Sequence, residues 1–311
     1  DGEHAGCFGW CMFDYATHKD FGSGDRVCYH GVMDAFRNPK PAAALYASQG
    51  EGTTVLTACT PMDIGDYPGG QIGDSAVLTN ADSVRLYKNG NYVTTLRTGD
   101  YPGLPHPPMI LDDIIGELLE TQEGFDEKKA DLLRACLLAV RKHGLAHLPP
   151  ADLARMGVAM TKYGLTFADA QKLYGKYVGN WGGESTVWRL DALKGGKVAS
   201  SVTLCPSAKL HLEVTPSHTE LTERDTYDMA AVRVRILDEY GSPAPYAQLP
   251  VTFRLEGAAE LVGPEVTTAE GGMTGTYVRT TGETGTAVLT VTTSQTEAVR
   301  IAFTVGRKPE R

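Results

Sequence analysis

The sequence predicts a mainly β chain that carries a helical insert and opens on a piece of a larger α/β element. Three observations carry that reading. Apolar residues alternate over most of 209–305, they switch to helical spacing between 110 and 181, and the first fifty residues combine aromatic, Gly-rich loop with one apolar run and one helix-like piece. At 311 residues the chain is too long for one small core and fits two or three domains. Hydrophobic residues make up 42% and charged residues 22%, a globular mix that excludes disordered and collagen-like classes.

Taken in order, Cys7-Phe8-Gly9-Trp10-Cys11-Met12-Phe13 reads as a buried strand, apolar without strict alternation. Such a strand needs neighbouring strands and covering helices, and none precedes it, so the chain reads as cut inside a larger α/β element. Pro41-Ala42-Ala43-Ala44-Leu45-Tyr46-Ala47 sets Pro before good helix formers, a start signal. Thr54 to Ala58 is β-prone. Asp82 to Tyr87, Lys88-Asn89-Gly90-Asn91 and Tyr92 to Leu96 form a strong hairpin signal, with Val84, Leu86 and Lys88 expected on one face and Arg85 and Tyr87 on the other.

Helical spacing then takes over. Ile114, Ile115, Leu118 and Leu119 form one stripe; Leu132, Cys136 and Val140, flanked by Leu133 and Leu137, form a second that Gly144 ends. Pro149-Pro150-Ala151-Asp152 opens a third helix with Leu153, Met156 and Met160 on its apolar side, and Phe167 to Tyr177 supplies a fourth. Met156 and Met160 read as ordinary core filler. Such a packet is expected to bury a core of its own.

The β texture returns at Thr186 to Leu190 and Val198 to Leu204, so the packet is expected to interrupt a sandwich that began near residue 53. The expected domains are 1–50, a split sandwich of 51–106 with 182–208, a helical bundle at 107–181, and a second sandwich at 209–311. That last stretch alternates at Leu210, Leu212 and Val214 and at Val232, Val234 and Ile236. Further runs follow near 251–255, 275–278, 287–291 and 301–305, separated by turn signals. Their count and spacing are those of an immunoglobulin-like sandwich. The two-cysteine bridge with a tryptophan is missing, since Cys205 precedes the domain and no Trp falls inside it.

A net charge of -9 argues against nucleic acid or anionic membrane as a partner, and Lys128-Lys129 and Arg141-Lys142 are too short to be more than solvated helix face. No apolar run is long enough to span a bilayer as a helix. The opening Asp1-Gly2-Glu3-His4 fits a mature or truncated product equally well. Cys7, Cys11, Cys28, Cys59, Cys136 and Cys205 are irregularly spaced without a CxxC pair, which favours buried free thiols in a reducing, cytoplasmic setting.

The informative stretch for chemistry runs from Trp10 to Arg26. It packs aromatics, His18, Lys19 and carboxylates just past the apolar run, the placement used by barrel strands that end at a ligand. Aromatic faces suit the apolar faces of sugar rings, while Asp, His and Arg suit hydroxyls. A core Trp10 followed by a solvated loop explains the same residues. Glycoside cleavage needs two carboxyl groups across the scissile bond, roughly 5 Å apart when configuration is retained. Asp14, Asp20, Asp25 and Asp34 are the nominal candidates, and Asx turns or caps explain each. Gly22-Ser23-Gly24 lacks the context of a phosphate loop. His4, His18, His30, His106, His143, His147, His211 and His218 form no metal set, because Gly144 and Pro149 break the helix that would align His143 with His147. No Ser or Cys sits in a recognisable nucleophile motif. No metal or other cofactor is expected.

Gly9-Trp10-Cys11-Met12-Phe13-Asp14-Tyr15, Tyr29-His30-Gly31-Val32-Met33-Asp34, Arg37-Asn38-Pro39-Lys40 and Ala44 to Gln49 together resemble the end of the catalytic barrel in glycoside hydrolase family 2, the β-galactosidase and β-glucuronidase group. The hairpin ending in Asn89-Gly90 and the terminal sandwich are similar to later domains of such enzymes; the helical insert matches no basic family pattern. The resemblance implies the end of a (β/α)8 barrel followed by immunoglobulin-like β-sandwich domains, and retaining hydrolysis of a terminal β-linked sugar, galactose foremost. It places both catalytic glutamates on earlier barrel strands, so no residue here is expected to be catalytic. Trp10 is the expected wall of the sugar subsite, with Asp14, His18, Lys19 and Asp20 as rim candidates. The implied partners are the rest of the barrel and a β-galactoside or related glycan. The alternative is a carbohydrate-binding or interaction module using Tyr87, Tyr92, Trp181, Trp188 and Tyr277 on its sheets, and the helical insert is a candidate subunit or domain contact.

Overall fold

The computed structural model describes residues 6, 8–20, 24, 26–63, 72–99, 101, 103–179, 185–206 and 209–307. It divides into two compact units, Asp1–Ala43 with Ser207–Arg311, and Ala44–Pro206.

The first unit begins in loop. A short antiparallel pair joins β1 (Tyr15–Ala16) to β2 (Val27–Cys28), with Tyr15 opposite Cys28. Helix α1 (Pro41–Ala47) then carries the chain into the second unit. The strand expected over Cys7 to Phe13 does not form. Residues 8–12 are irregular, and Phe13 alone makes a single parallel bridge, to Met33. Phe8, Trp10 and Met12 are exposed, and Cys7 lies outside the described residues. An apolar run becomes a buried strand only where partners take its backbone groups and a second layer covers its face. Among the described residues, no such layer covers this run.

In the second unit, β3 (Leu56–Ala58), β4 (Ser75–Thr79), β5 (Ser83–Lys88), β6 (Asn91–Leu96) and β7 (Met109–Leu111) come first. Four helices follow, α2 (Leu118–Glu123), α3 (Glu127–His143), α4 (Pro150–Tyr163) and α5 (Phe167–Tyr174), and then β8 (Trp188–Lys194) and β9 (Lys197–Leu204). The sheets are ordered β3-β4-β7 and β6-β5-β8-β9. Because β8 pairs with β5 from Ser83–Leu193 to Lys88–Trp188, the helices are an excursion between strands of one sheet. At the hairpin tip, Asn89 and Gly90 have φ of 48° and 80°, the left-handed pair that matches strand twist in a two-residue turn.

Val84, Leu86 and Lys88 are buried while Arg85 is exposed, as the alternation predicts. The Lys88 ammonium donates to the carbonyl oxygens of Lys176 (3.1 Å) and Tyr177 (3.4 Å) and lies 5.3 Å from the centre of the Trp188 ring. Burial, with Lys176 nearby, pulls its pKa down to about 8.

Helix α3 starts where the Asp126 side chain accepts from the backbone N–H of Lys129. Pro150 opens α4, and Gly164 ends it with φ of 62°. Thr166 and Asp169 close a reciprocal capping box at α5. Leu153 stays exposed, and the buried position on α4 is Ala159, small enough to let the helix approach its neighbours closely. The packet has no core of its own. Leu133, Cys136, Leu137 and Leu173 belong to one cluster with Val84, Leu86 and Leu190 of the sheet. An apolar pocket of about 470 Å³ opens among α3, α4 and α5, with no charged residue in its lining.

The rest of the first unit is a β-sandwich. Its strands are β10 (His211–Pro216), β11 (Glu220–Glu223), β12 (Met229–Leu237), β13 (Pro250–Gly257), β14 (Ala259–Val262), β15 (Val266–Thr268), β16 (Met273–Thr280), β17 (Gly285–Thr292) and β18 (Val299–Arg307). One sheet is ordered β10-β12-β16-β14 and the other β11-β18-β17-β13-β15, with β11 parallel to β18. Val232, Val234, Ile236, Phe253, Leu289 and Phe303 fill the space between them. Strands β11, β14 and β15 carry no clear sequence signal; they are short pieces at sheet edges, and their pairing follows from the longer neighbours.

Of the described cysteines, Cys28 and Cys136 are buried as expected, but Cys11 and Cys205 are half-buried and Cys59 is exposed. No helix among the described residues is long and apolar enough to cross a membrane.

Candidate functional site

The segment from Phe8 to Lys40 is held by its backbone. Val32 donates to the carbonyl of Cys11 (3.0 Å), Met33 to that of Met12 (2.9 Å), and Asp14 to that of Met33 (3.0 Å). The two backbones close up at Gly31, where a Cβ would lie 2.2 Å from the Met33 oxygen and 2.3 Å from the Asp14 nitrogen. Only glycine fits there. Asp14 is turned inward, with its side chain 4% exposed. Its Oδ1 accepts from the Gly31 N–H (2.8 Å) and from Lys40 Nζ (2.7 Å), and Lys40 also donates to the Tyr29 carbonyl (3.2 Å).

Just before this stitched region, Trp10 is 76% exposed, and the Trp10–Cys11 peptide is cis. Its indole N–H donates to the Tyr15 hydroxyl at 3.4 Å, and the two rings meet edge to face, 6.4 Å apart at 89°. The Tyr15 phenol is pushed up chiefly by its hydrogen bond with Cys28, against the pull of the Trp10 indole. Phe8, Met12 and Tyr29 are also exposed along the segment. What results is an aromatic corner with an indole face open to solvent.

His18, Lys19 and Asp20 are exposed between β1 and β2. The Asp20 N–H donates to His18 Nδ1 (3.2 Å), and the same nitrogen lies 4.0 Å from the Asp20 carboxylate. The structure thus joins Trp10 to Tyr15 and leaves His18, Lys19 and Asp20 on an open turn. Asp14, expected beside them on the rim, is instead buried, because Lys40 and Gly31 take its carboxylate inward. Gly22, Ser23, Asp25 and His4 lie outside the described residues.

Asp34 is committed as well. Its Oδ1 accepts from the backbone N–H groups of Phe36 and Asn38, both at 2.8 Å, and its Oδ2 from the Asn38 side chain at 2.8 Å. Burial pushes its pKa up, partly offset by the Asn38 donors. Of the carboxylates described before residue 43, Asp14 is taken by Gly31 and Lys40, Asp34 by Phe36 and Asn38, and Asp20 lies beside His18 on its turn. No opposed pair suited to general acid and nucleophile work is present among them. Among the described residues no group of three or more His, Cys, Asp and Glu converges as a metal site.

The sequence reading gave no structural role to Lys40 and Asn38. The signal for Asn38 is the Asp34-to-Asn38 spacing of a side chain–backbone turn; Lys40 is marked only by its place in the Arg37-Asn38-Pro39-Lys40 motif. The described aromatics considered for a glycan-binding sheet all have partners within the protein. Trp188 is fully buried, Tyr87 and Tyr92 meet edge to face at 5.9 Å, and the Tyr277 hydroxyl donates to the Ala35 carbonyl. Trp181 lies outside the described residues.

Comparison with known proteins bears on this arrangement. Residues 212–302 match the glycoside hydrolase family 2 C-terminal domain 5. A β-galactosidase of Thermoanaerobacter pseudethanolicus is 29% identical over 291 residues, 92% of this chain, and the chain spans only 31% of that relative's length. A β-galactosidase of Rhizobium radiobacter is 34% identical over 96 residues, 30% of this chain and 67% of the relative. Among solved structures, a β-glucuronidase from glycoside hydrolase family 2 superposes with a TM-score of 0.58 at 14% identity, over 97% of this chain and 25% of the other, a likeness of fold. The sandwich, the split sheet with its helices, and the stitched loop ahead of them therefore have one common explanation: the chain belongs to glycoside hydrolase family 2, as a β-galactosidase-like C-terminal portion.

Proposed function

We propose that this chain completes the catalytic barrel of a family 2 glycosidase acting on β-galactosides, and that Trp10, backed by Tyr15, walls the sugar subsite. The observation that carries the reading is the Trp10 corner: an indole face left open just ahead of a stretch whose backbone is tied by the Cys11–Val32, Met12–Met33 and Asp14–Met33 hydrogen bonds. An indole face offers an apolar, polarisable platform to the C–H face of a pyranose, and in this reading the exposed His18, Lys19 and Asp20 meet hydroxyls at the rim. The bond-cleaving carboxylates come from the rest of the barrel, since Asp14 and Asp34 are occupied. The β-galactosidase names of the sequence relatives favour galactose as the sugar.

The test is turnover of aryl β-galactoside and aryl β-glucuronide by this chain alone and by the whole enzyme that contains it. The chain alone is expected to be inactive and the whole enzyme to prefer the galactoside. In the whole enzyme, Trp10→Ala lowers kcat/KM by about a hundredfold, the scale of a misplaced substrate, and Trp10→Phe by less. Robust turnover by the chain alone would overturn the reading.

A further inference from the structure

The terminal sandwich holds the loop that leads to Trp10. Strand β16 presents Gly275 on the outer face of its sheet, and Phe36 lies directly on it. A Cβ at Gly275 would come within 2.5 Å of Phe36 Cβ and of the Val232 carbonyl oxygen. Glycine inside a strand marks a close approach of this kind. The Tyr277 ring, two residues on and on the same face, packs against Phe36 at 6.1 Å, and its hydroxyl donates to the Ala35 carbonyl at 2.5 Å. Between them Asn38, with no exposed surface, donates through Nδ2 to the Thr274 carbonyl and to Asp34 Oδ2, both at 2.8 Å. The sandwich therefore grips the Asp34–Asn38 turn through three different groups: a ring, a hydroxyl and an amide.

From that turn a short path leads to the aromatic corner. Pro39 bridges Met33, and Met33 bridges Phe13. Lys40 reaches back to Asp14, and Val32 and Met33 donate to Cys11 and Met12, the two residues after Trp10. Arg37, with φ of 73°, lays its guanidinium 5.6 Å from the centre of the Phe13 ring. We propose that the sandwich sets the orientation of Trp10, with Phe36, Asn38 and Tyr277 as positioning residues that act through the Asp34–Lys40 turn. In a family 2 enzyme this gives a distant, non-catalytic domain control over the shape of the sugar subsite. The link to sugar rests on the function proposed above; the link from sandwich to Trp10 does not.

The experiment separates the two. The chain is labelled with fluorotryptophan, and the Trp10 resonance is assigned by its loss in Trp10→Phe. Phe36→Ala, Asn38→Ala and the milder Tyr277→Phe are each expected to shift and broaden the Trp10 resonance while the other two tryptophan resonances stay in place. In the whole enzyme the same variants are expected to lower kcat/KM for the aryl galactoside by about tenfold, mostly in kcat, because the substrate still binds but sits poorly aligned. Variants that keep a folded sandwich, by its unchanged thermal unfolding, and leave the Trp10 resonance unmoved overturn the proposal. A moved Trp10 resonance supports the positioning link; unchanged galactoside turnover alongside it counts against Trp10 as the sugar wall.

Discussion

The sandwich and the Trp10 loop, although parts of one compact unit, are held by different forces. The sandwich stands on alternating apolar side chains that two sheets press together, with Phe253 and Phe303 fully buried in the middle. The loop from Phe8 to Lys40 leaves Phe8, Trp10 and Met12 exposed and, apart from Phe36 on the sandwich, is held by backbone hydrogen bonds, two inward carboxylates, one lysine and one obligatory glycine. A region built on burial tolerates changes of polar detail. A region built on polar and backbone contacts frees its aromatic side chains for a ligand, and depends on each contact more sharply for its shape than for the stability of the whole.

That contrast can be broken by measurement. The largest expected effect is in the sandwich: Phe253→Ala removes a fully buried ring and should lower unfolding stability in urea by about 3–5 kcal/mol. A loss below about 1 kcal/mol would mean that burial is not what holds this part together. Next, Gly31→Ala forces a Cβ into the Met33 and Asp14 backbone and should cost about 1–3 kcal/mol. The damage should be local, seen as lost hydrogen-exchange protection at Val32 and Met33 with the amides of β12 and β17 unaffected.

A smaller effect concerns pH. Asp34 keeps its proton to higher pH in the folded loop than in the unfolded chain, so the folded state binds more protons over that window. Stability should fall as pH rises from 3.8 through the elevated folded value, then level off. The slope should vanish in Asp34→Asn, compared through urea midpoints across that range. An identical slope in the variant would assign it to other carboxylates. The smallest effect belongs to the residue of greatest functional interest. Trp10→Ala should change stability by no more than about 0.5 kcal/mol, because the side chain is mostly exposed. A larger loss would make Trp10 part of the packing and weaken its case as a sugar platform.

The legibility of the two regions in sequence follows from the same difference. Alternation at Val232, Val234 and Ile236 reads directly as a strand facing a core, and the Asn89-Gly90 hairpin reads from turn chemistry alone. The helices were visible by spacing, but their shared core with the sheet was not, since a stripe such as Leu133 and Leu137 does not say what covers it. The run from Cys7 to Phe13 meets the same limit: apolar composition predicts a buried strand, but it does not say what covers it, and among the described residues nothing does, so Phe8, Trp10 and Met12 are exposed. Motif resemblance, with Trp10, Asp14 and Gly31 in their order, located that segment where periodicity failed.

The amino-acid order alone determined whatever repeats over two or nearly four residues: strand faces, helix stripes, caps and the hairpin tip, all set by neighbours along the chain. The folded structure alone decided that Asp14 turns in to Lys40, that Trp10 turns out to Tyr15, and that Phe36 rests on Gly275. Each of those outcomes depends on a backbone or ring delivered from elsewhere in the chain, and a side chain has no inside or outside until that partner arrives.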